Sequence, residues 1–139
     1  MAASGAYWAI SQCSEIVVTP SGEVGSIGCY MIHVDESKAL TEAGYTMTPV
    51  IAGERKIADH PFGPLSDLGR QELEALVNDY HAKFVKAVAS GRNVSQSAVR
   101  DGFGRGGMLR AEAAVKEGMA DKIGTLDRKS TRLNSSHRT

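Results

Sequence analysis

Apolar and polar positions along the chain change period several times, and each change marks an element. Residues 5–12 read as a short helix entered at Ser4, a favoured N-cap residue. The β-branched run EIVVTP, residues 15–20, reads as a short strand ended by a Pro-Ser-Gly turn. Residues 24–34, VGSIGCYMIHV, read as extended chain broken at Gly25 and Gly28, where two glycines suggest a close backbone approach or room for a ligand. A short helix over 37–43 closed by Gly44, a strand over 46–51 and a loop over 52–64 follow. Ser66 can cap the longest element, a helix running to about Ser90 with Gly91 as its stop. Its apolar positions Leu73, Leu76, Val77, Tyr80, Phe84 and Val88 keep helical spacing and predict one buried face. Ser95 caps a shorter helix, FGRGG (103–107) is a flexible turn, and a helix over 111–117 stops at Gly118. Alternation of short strands and helices predicts an α/β fold.

Composition narrows the function classes. The chain has 139 residues, 42% apolar and 23% charged, enough for one globular domain and unlike a disordered, disulfide-stapled or repeat chain. Its balance of 16 basic and 16 acidic side chains conceals an asymmetry. Arg128, Lys129, Arg132 and Arg138 lie in the last thirteen residues, so residues 1–126 carry twelve basic against fifteen acidic groups. A mildly acidic body of this kind argues against a nucleic-acid partner. No apolar run approaches the length of a membrane span and no signal-peptide pattern opens the chain, so a cytoplasmic location is expected. Cys13 and Cys29 lack metal or redox spacing and are expected to be small buried residues in a reducing compartment.

Both ends are unusual. DRKSTRLNSSH, residues 127–137, resembles the in-frame translation of a sequencing adapter. Residues 127–139 are therefore expected to be a disordered, non-biological tail, and His137 is assigned no function. The opening MAASGAYW runs directly into the chemical centre, as expected of a fragment that lacks its upstream part.

His33, His60 and His81 show no triad order, and none has zinc-ligand spacing. The glycine-rich stretch 102–107 has no Lys-Ser/Thr pair after it, so nucleotide binding is unsupported and no cofactor is expected. Ser4 stands between Ala3, Gly5 and Ala6, with no bulky neighbour to keep its hydroxyl from a substrate. Backbone N–H groups at such a position favour a developing oxyanion. The same residue also serves as a plain helix cap, and composition alone favours that role.

Three segments carry a family resemblance: SGAYW (4–8), EIVVTPSGEVGSIG (15–28) and AGERK (52–56). Together they resemble the signal-peptide-peptidase A (protease IV) family of serine peptidases. The resemblance implies Ser4 as nucleophile, Lys56 as general base and Ser26 as the residue that orients the lysine. It implies oxyanion or substrate-binding roles for Gly5, Gly25 and Gly28. LRAEAAVKEGMADKIG (109–124) is similar to a helix motif that this family shares with crotonases and Clp proteases. HPFGPLSDLGR (60–70) looks like the phage capsid-maturation branch.

The implied fold is a Clp/crotonase-like spiral of short strands with outer helices, residues 1–126 forming the C-terminal portion of a peptidase domain. The implied activity is ATP-independent endopeptidase cleavage through a Ser-Lys dyad. The substrates would be phage capsid or scaffold proteins, or signal-peptide-like peptides, and the assembly a homo-oligomer. Two departures stand out: Ala6 replaces a glycine, and the upstream strands that complete the oxyanion hole are absent. Loss of one such donor costs ~10²–10³ in rate, so the fragment alone is expected to be slow or inactive. A crotonase-type acyl-CoA enzyme and a non-catalytic remnant are the rival readings.

The dyad makes a physical demand. A lysine acts as a base only when neutral, and an ordinary lysine amine, with pKa near ~10.4, must be brought to about 7–8 by burial. Glu54, Arg55 and Asp59 lie near Lys56 in sequence, so the dyad requires the fold to turn Lys56 inward and those carboxylates out.

Overall fold

A computed structural model describes residues 1–125; the tail expected over 127–139 lies outside the described residues. In chain order the elements are β1 (Ala2–Ala3), α1 (Gly5–Ile10), β2 (Val17–Val18), β3 (Glu23–Gly25), α2 (Ser37–Glu42), α3 (Asp67–Arg92), α4 (Gln96–Asp101), β4 (Met108–Arg110), α5 (Ala111–Lys116) and β5 (Lys122–Ile123). This is a mixed α/β architecture of short elements. It divides into two units: unit 1 holds residues 1–28 and those from 81 onward, unit 2 residues 29–80.

Unit 1 contains the core. One sheet runs β1-β3-β4, with β1 and β3 parallel and β4 antiparallel to β3; the other pairs β2 and β5 in parallel. The predicted strand over 15–20 shrinks to Val17–Val18 because its flanks bond elsewhere. The Ile16 N–H donates to the Asp121 carboxylate at 2.6 Å, and Gly22 closes a turn onto the Thr19 carbonyl. Tyr7, Phe84, Val88 and Met119 are completely or almost completely buried among Ile16, Val18, Val24 and Val99. Trp8 of α1 stacks on Phe84 with ring centroids 4.6 Å apart, which fixes α1 against α3.

The end of α3 corrects one expectation. Gly91 does not stop the helix, which continues to Arg92 and ends where Asn93 adopts a left-handed φ of 53°. The Val94 N–H then reaches back to the Ala89 carbonyl, closing the helix end. Gly91 is instead a contact surface: a β-carbon there would lie 2.2 Å from the Ser11 carbonyl oxygen. Arg92, its side chain 7% exposed, donates to Asp121 at 2.7 Å and to the Gly118 carbonyl at 3.1 Å. The Asp121 carboxylate thus joins the end of α3, the turn after α5 and the chain entering β2. The Tyr7 hydroxyl donates to the Met119 carbonyl at 2.9 Å, and burial pushes its pKa up to about 12.

The caps at Ser95 and Gly118 occur as expected: Ser95 accepts the Ala98 N–H, and Gly118 takes φ 83° after α5. FGRGG is not a loose turn. Phe103 to Gly106 take successive φ values of 47°, 75°, 49° and 87°, and Phe103 is buried.

Unit 2 contains α2, a 3₁₀ turn at Glu54–Ile57 and the first half of α3. Ser66 caps α3 as predicted, accepting the Gly69 N–H at 3.0 Å and donating to the Ala58 carbonyl at 2.9 Å. Gly69 is held so close to that carbonyl that a β-carbon would lie 2.0 Å from its oxygen. Other expectations fail here. Residues 46–51 form no strand, and residues 26–36 belong to neither helix nor strand. Leu76 and Tyr80 of the predicted buried face are exposed, so only the later half of α3 is buried as the helical spacing foretold. The cysteines also depart from expectation: Cys13, in the turn after α1, is exposed, and Cys29 is half-buried.

Two expected outcomes follow from unit 1. Gly91→Ala should lower the unfolding free energy by about 1–3 kcal/mol in urea titration, although alanine is the better helix former, because the new methyl meets backbone. The second concerns acid. Arg92 first, and the Ile16 N–H second, hold the Asp121 carboxyl below the usual carboxylate range. Its contribution is present above that range and is lost as pH falls through the lowered value. Urea midpoints should therefore fall below about pH 4 in the wild type, and Asp121→Asn should start lower and lose less on acidification.

Candidate functional site

The site begins with a conformational choice at the end of β1. Ala2 and Ala3 pair in parallel with Val24 and Gly25, and the Ser4 N–H continues the ladder to the Gly25 carbonyl at 2.8 Å. One residue later the chain is helical, the Trp8 N–H bonding to the Ser4 carbonyl at 3.0 Å. Joining strand to helix without a loop forces Ser4 to φ 53°, ψ −124°, a region that side-chain-bearing residues rarely occupy. Its hydroxyl caps nothing, so the plain N-cap role is excluded. Ser4, Gly5 and Ala6 are exposed, and the space where a Gly5 β-carbon would point is open. Ser4 is thus an exposed serine on a strained strand-to-helix turn.

The neighbouring strand ends in a matching way. Gly25 takes φ 135°, and a β-carbon there would lie 2.5 Å from the Gly107 carbonyl oxygen, so only glycine fits. Ser26, at φ 56°, donates its N–H to that same carbonyl at 2.8 Å. Gly28 is less constrained: a β-carbon there would make ordinary contact, 3.7 Å from Gly106. Thus Ser4, Gly5, Gly25, Ser26 and Gly28 all belong to unit 1, on the ends of two adjacent parallel strands and the residues leaving them.

Lys56 belongs to unit 2, in the 3₁₀ turn Glu54–Ile57. Its side chain is exposed, as are Glu54 and Asp59, so the inward turn demanded of a base is not made within the described residues. Neighbouring Arg55 is paired with Glu72. Among the described residues no group of three or more His, Cys, Asp or Glu side chains could hold a metal ion, and no helix is long and apolar enough to cross a membrane.

Sequence reasoning missed one part of the site. The left-handed turn 103–106 and Gly107 form the wall behind Gly25 and Ser26, since Gly107 both accepts the Ser26 N–H and excludes a side chain at Gly25. The signal was present in FGRGG, whose glycines read as flexibility and serve as close packing.

The chain matches peptidase family S49 over residues 1–138. It is 31% identical over 123 residues to a Methanocaldococcus jannaschii protein that carries a protease name, covering 88% of this chain and 39% of that one. It is 28% identical over 122 residues to the head-tail preconnector protein GP5 of Enterobacteria phage P21 (88% and 24%). It is 26% identical over 113 residues to the capsid assembly protease C of Escherichia phage lambda (81% and 25%). The chain therefore spans about a quarter to two-fifths of the length of these relatives.

Strain at Ser4 has a measurable signature. Ser4→Ala should leave stability within about 0.5 kcal/mol, where a capping serine would lose about 1. Ser4→Gly should raise the unfolding free energy by about 1 kcal/mol, because glycine relieves the positive φ. Urea titration of the three proteins reads both.

Proposed function

The chain belongs to peptidase family S49, and from that premise we propose that it carries the nucleophile and the base of a serine endopeptidase that works through a Ser4-Lys56 dyad without ATP. The observation that carries the reading is Ser4 itself: an exposed, strained residue whose side chain makes no capping hydrogen bond. Strain of about 1–3 kcal/mol is retained where the surroundings over-determine it, and such residues cluster at active sites.

In the proposed reaction neutral Lys56 takes the Ser4 hydroxyl proton as the oxygen attacks a peptide carbonyl. The C–N bond breaks as the resulting ammonium returns the proton to the leaving amine. Water, deprotonated by the same lysine, then cleaves the ester and restores Ser4. Ser26 orients the lysine, and Gly5, Gly25 and Gly28 keep the approach to the acyl group clear. Because Lys56 is exposed in the described chain, its burial comes from groups that close over it, substrate among them. The strand and helix pattern fits a Clp/crotonase-like spiral in which the β1 and β3 ends line the cleft. The phage capsid and head-tail names of two relatives support a protein substrate of the capsid or scaffold class.

A fluorophosphonate probe on the complete protein tests the assignment. Labelling should map to the Ser4 peptide, vanish in Ser4→Ala and slow by ~10²-fold or more in Lys56→Met. Undiminished labelling in Ser4→Ala would overturn it.

A further inference from the structure

The turn at Ser4 lies between two elements too short to hold it. β1 has two residues and α1 six, and a helix of that length has no stability of its own in water. The positive φ at Ser4 therefore persists only because both neighbours are fixed from outside. On the strand side the anchor is the ladder to β3, which ends in the Ser4 N–H on the Gly25 carbonyl at 2.8 Å. On the helix side two aromatic residues make the contacts. Trp8 stacks on Phe84, an arrangement that tolerates a range of ring offsets. Tyr7 is completely buried and makes a directional bond, its hydroxyl donating at 2.9 Å to the Met119 carbonyl, 112 residues away in sequence.

The acceptor is held more firmly than the helix it meets. Met119 lies between α5 and β5, and the residues around it are pinned. The Gly118 carbonyl accepts from Arg92 at 3.1 Å, and the Met119 N–H donates to the Ala114 carbonyl at 2.8 Å. Asp121 accepts from Arg92 at 2.7 Å and from the Ile16 N–H at 2.6 Å, while its own N–H donates to the Ile16 carbonyl at 2.9 Å. Bonds in which a partner is charged are the strong ones. Tyr7 lies beside this frame: burial first, and then the Arg92 and Asp121 charges, set the acidity of its hydroxyl.

We propose that Tyr7 is a positioning residue for Ser4: through its bond to the Met119 carbonyl the Tyr7 hydroxyl fixes the depth of α1 and so keeps Ser4 in its strained conformation. The ring fills the core, and the oxygen sets where the helix stops along its axis. Loss of the oxygen alone keeps the packing but frees α1 to shift, and Ser4 then relaxes toward an ordinary φ. The hold on Ser4 stands by itself; its consequence for catalysis rests on the peptidase reading.

Tyr7→Phe removes the oxygen and keeps the ring. A double-mutant cycle with Ser4→Gly, read by urea titration of the full chain, tests the hold without measuring catalysis. Ser4→Gly should raise the folding equilibrium constant about fivefold in the wild type but by less than about twofold in Tyr7→Phe, where the strain is already released. If Tyr7→Phe is marginally stable, trimethylamine oxide added to all four proteins keeps the cycle measurable. Fluorophosphonate labelling of the complete protein tests the consequence. Tyr7→Phe should lower the maximal labelling rate about tenfold or more with probe affinity unchanged. Val18→Ala, which weakens the core from β2, should label at the wild-type rate. An equal gain from Ser4→Gly in both backgrounds would overturn the proposal, and so would Tyr7→Phe labelling as fast as Val18→Ala. A wild type that does not label at Ser4 would overturn the peptidase reading instead, and the cycle would still decide whether Tyr7 holds Ser4.

Discussion

The arrangement of the site depends on one close approach of backbone to backbone. The Gly107 carbonyl lies where a side chain on Gly25 would have to be, and it is the acceptor for the next residue's N–H. That contact sets the end of β3 and turns Ser26 into a positive φ. The Gly25 carbonyl on the other side takes the Ser4 N–H, which holds β1 in register up to the residue where it must become a helix. Both serines are therefore strained by the same constraint. Neither the glycine nor the left-handed turn behind it has chemistry of its own, yet they decide where the hydroxyls stand.

Strain of this kind persists only in surroundings stiff enough to refuse relaxation. Unit 1 supplies them through groups distant in sequence. Tyr7, three residues after Ser4, is buried with its hydroxyl on the Met119 carbonyl, so α1 cannot slide along its axis. The Asp121 carboxylate accepts from Ile16 and Arg92, joining the chain before β2 to the end of α3 and to the turn that follows α5. Among the described residues no buried side-chain polar atom lacks a partner, as a rigid support requires. The aspartate of the closing GMAD segment thus has a structural task, holding the frame against which Ser4 is strained.

The sequence made legible those features whose cause is local. Ser66 and Ser95 cap their helices and Gly118 ends α5 because a hydroxyl or a missing side chain acts on backbone three or four residues away. It was misleading wherever the cause lies elsewhere in the chain. Gly91 has the sequence signature of a helix stop, but its missing side chain serves the Ser11 carbonyl across the unit. FGRGG has the composition of a loose turn and is a packed wall, and nothing local distinguishes the two. Ser4 looked like a cap because serine before a helix usually is one. Only its backbone angles, imposed by β3, separate the two roles. The grouping of Ser4, Ser26 and the glycines followed from the family resemblance, since residues 4 and 26 are joined by a ladder that no local pattern reveals.

Unit 2 fails the same reading for a single physical reason. Alternating and helical apolar patterns predict burial, and segments 29–34, 46–51 and 73–80 have such patterns without a core to receive them. A strand needs a paired edge, an apolar helix face needs a cover, and a general-base lysine needs exclusion from water. Unit 2 lacks all three within the described residues. These are one deficit, because each is a group whose solvation must be replaced on burial. The strained turn at Ser4, by contrast, is held by contacts made within unit 1 alone.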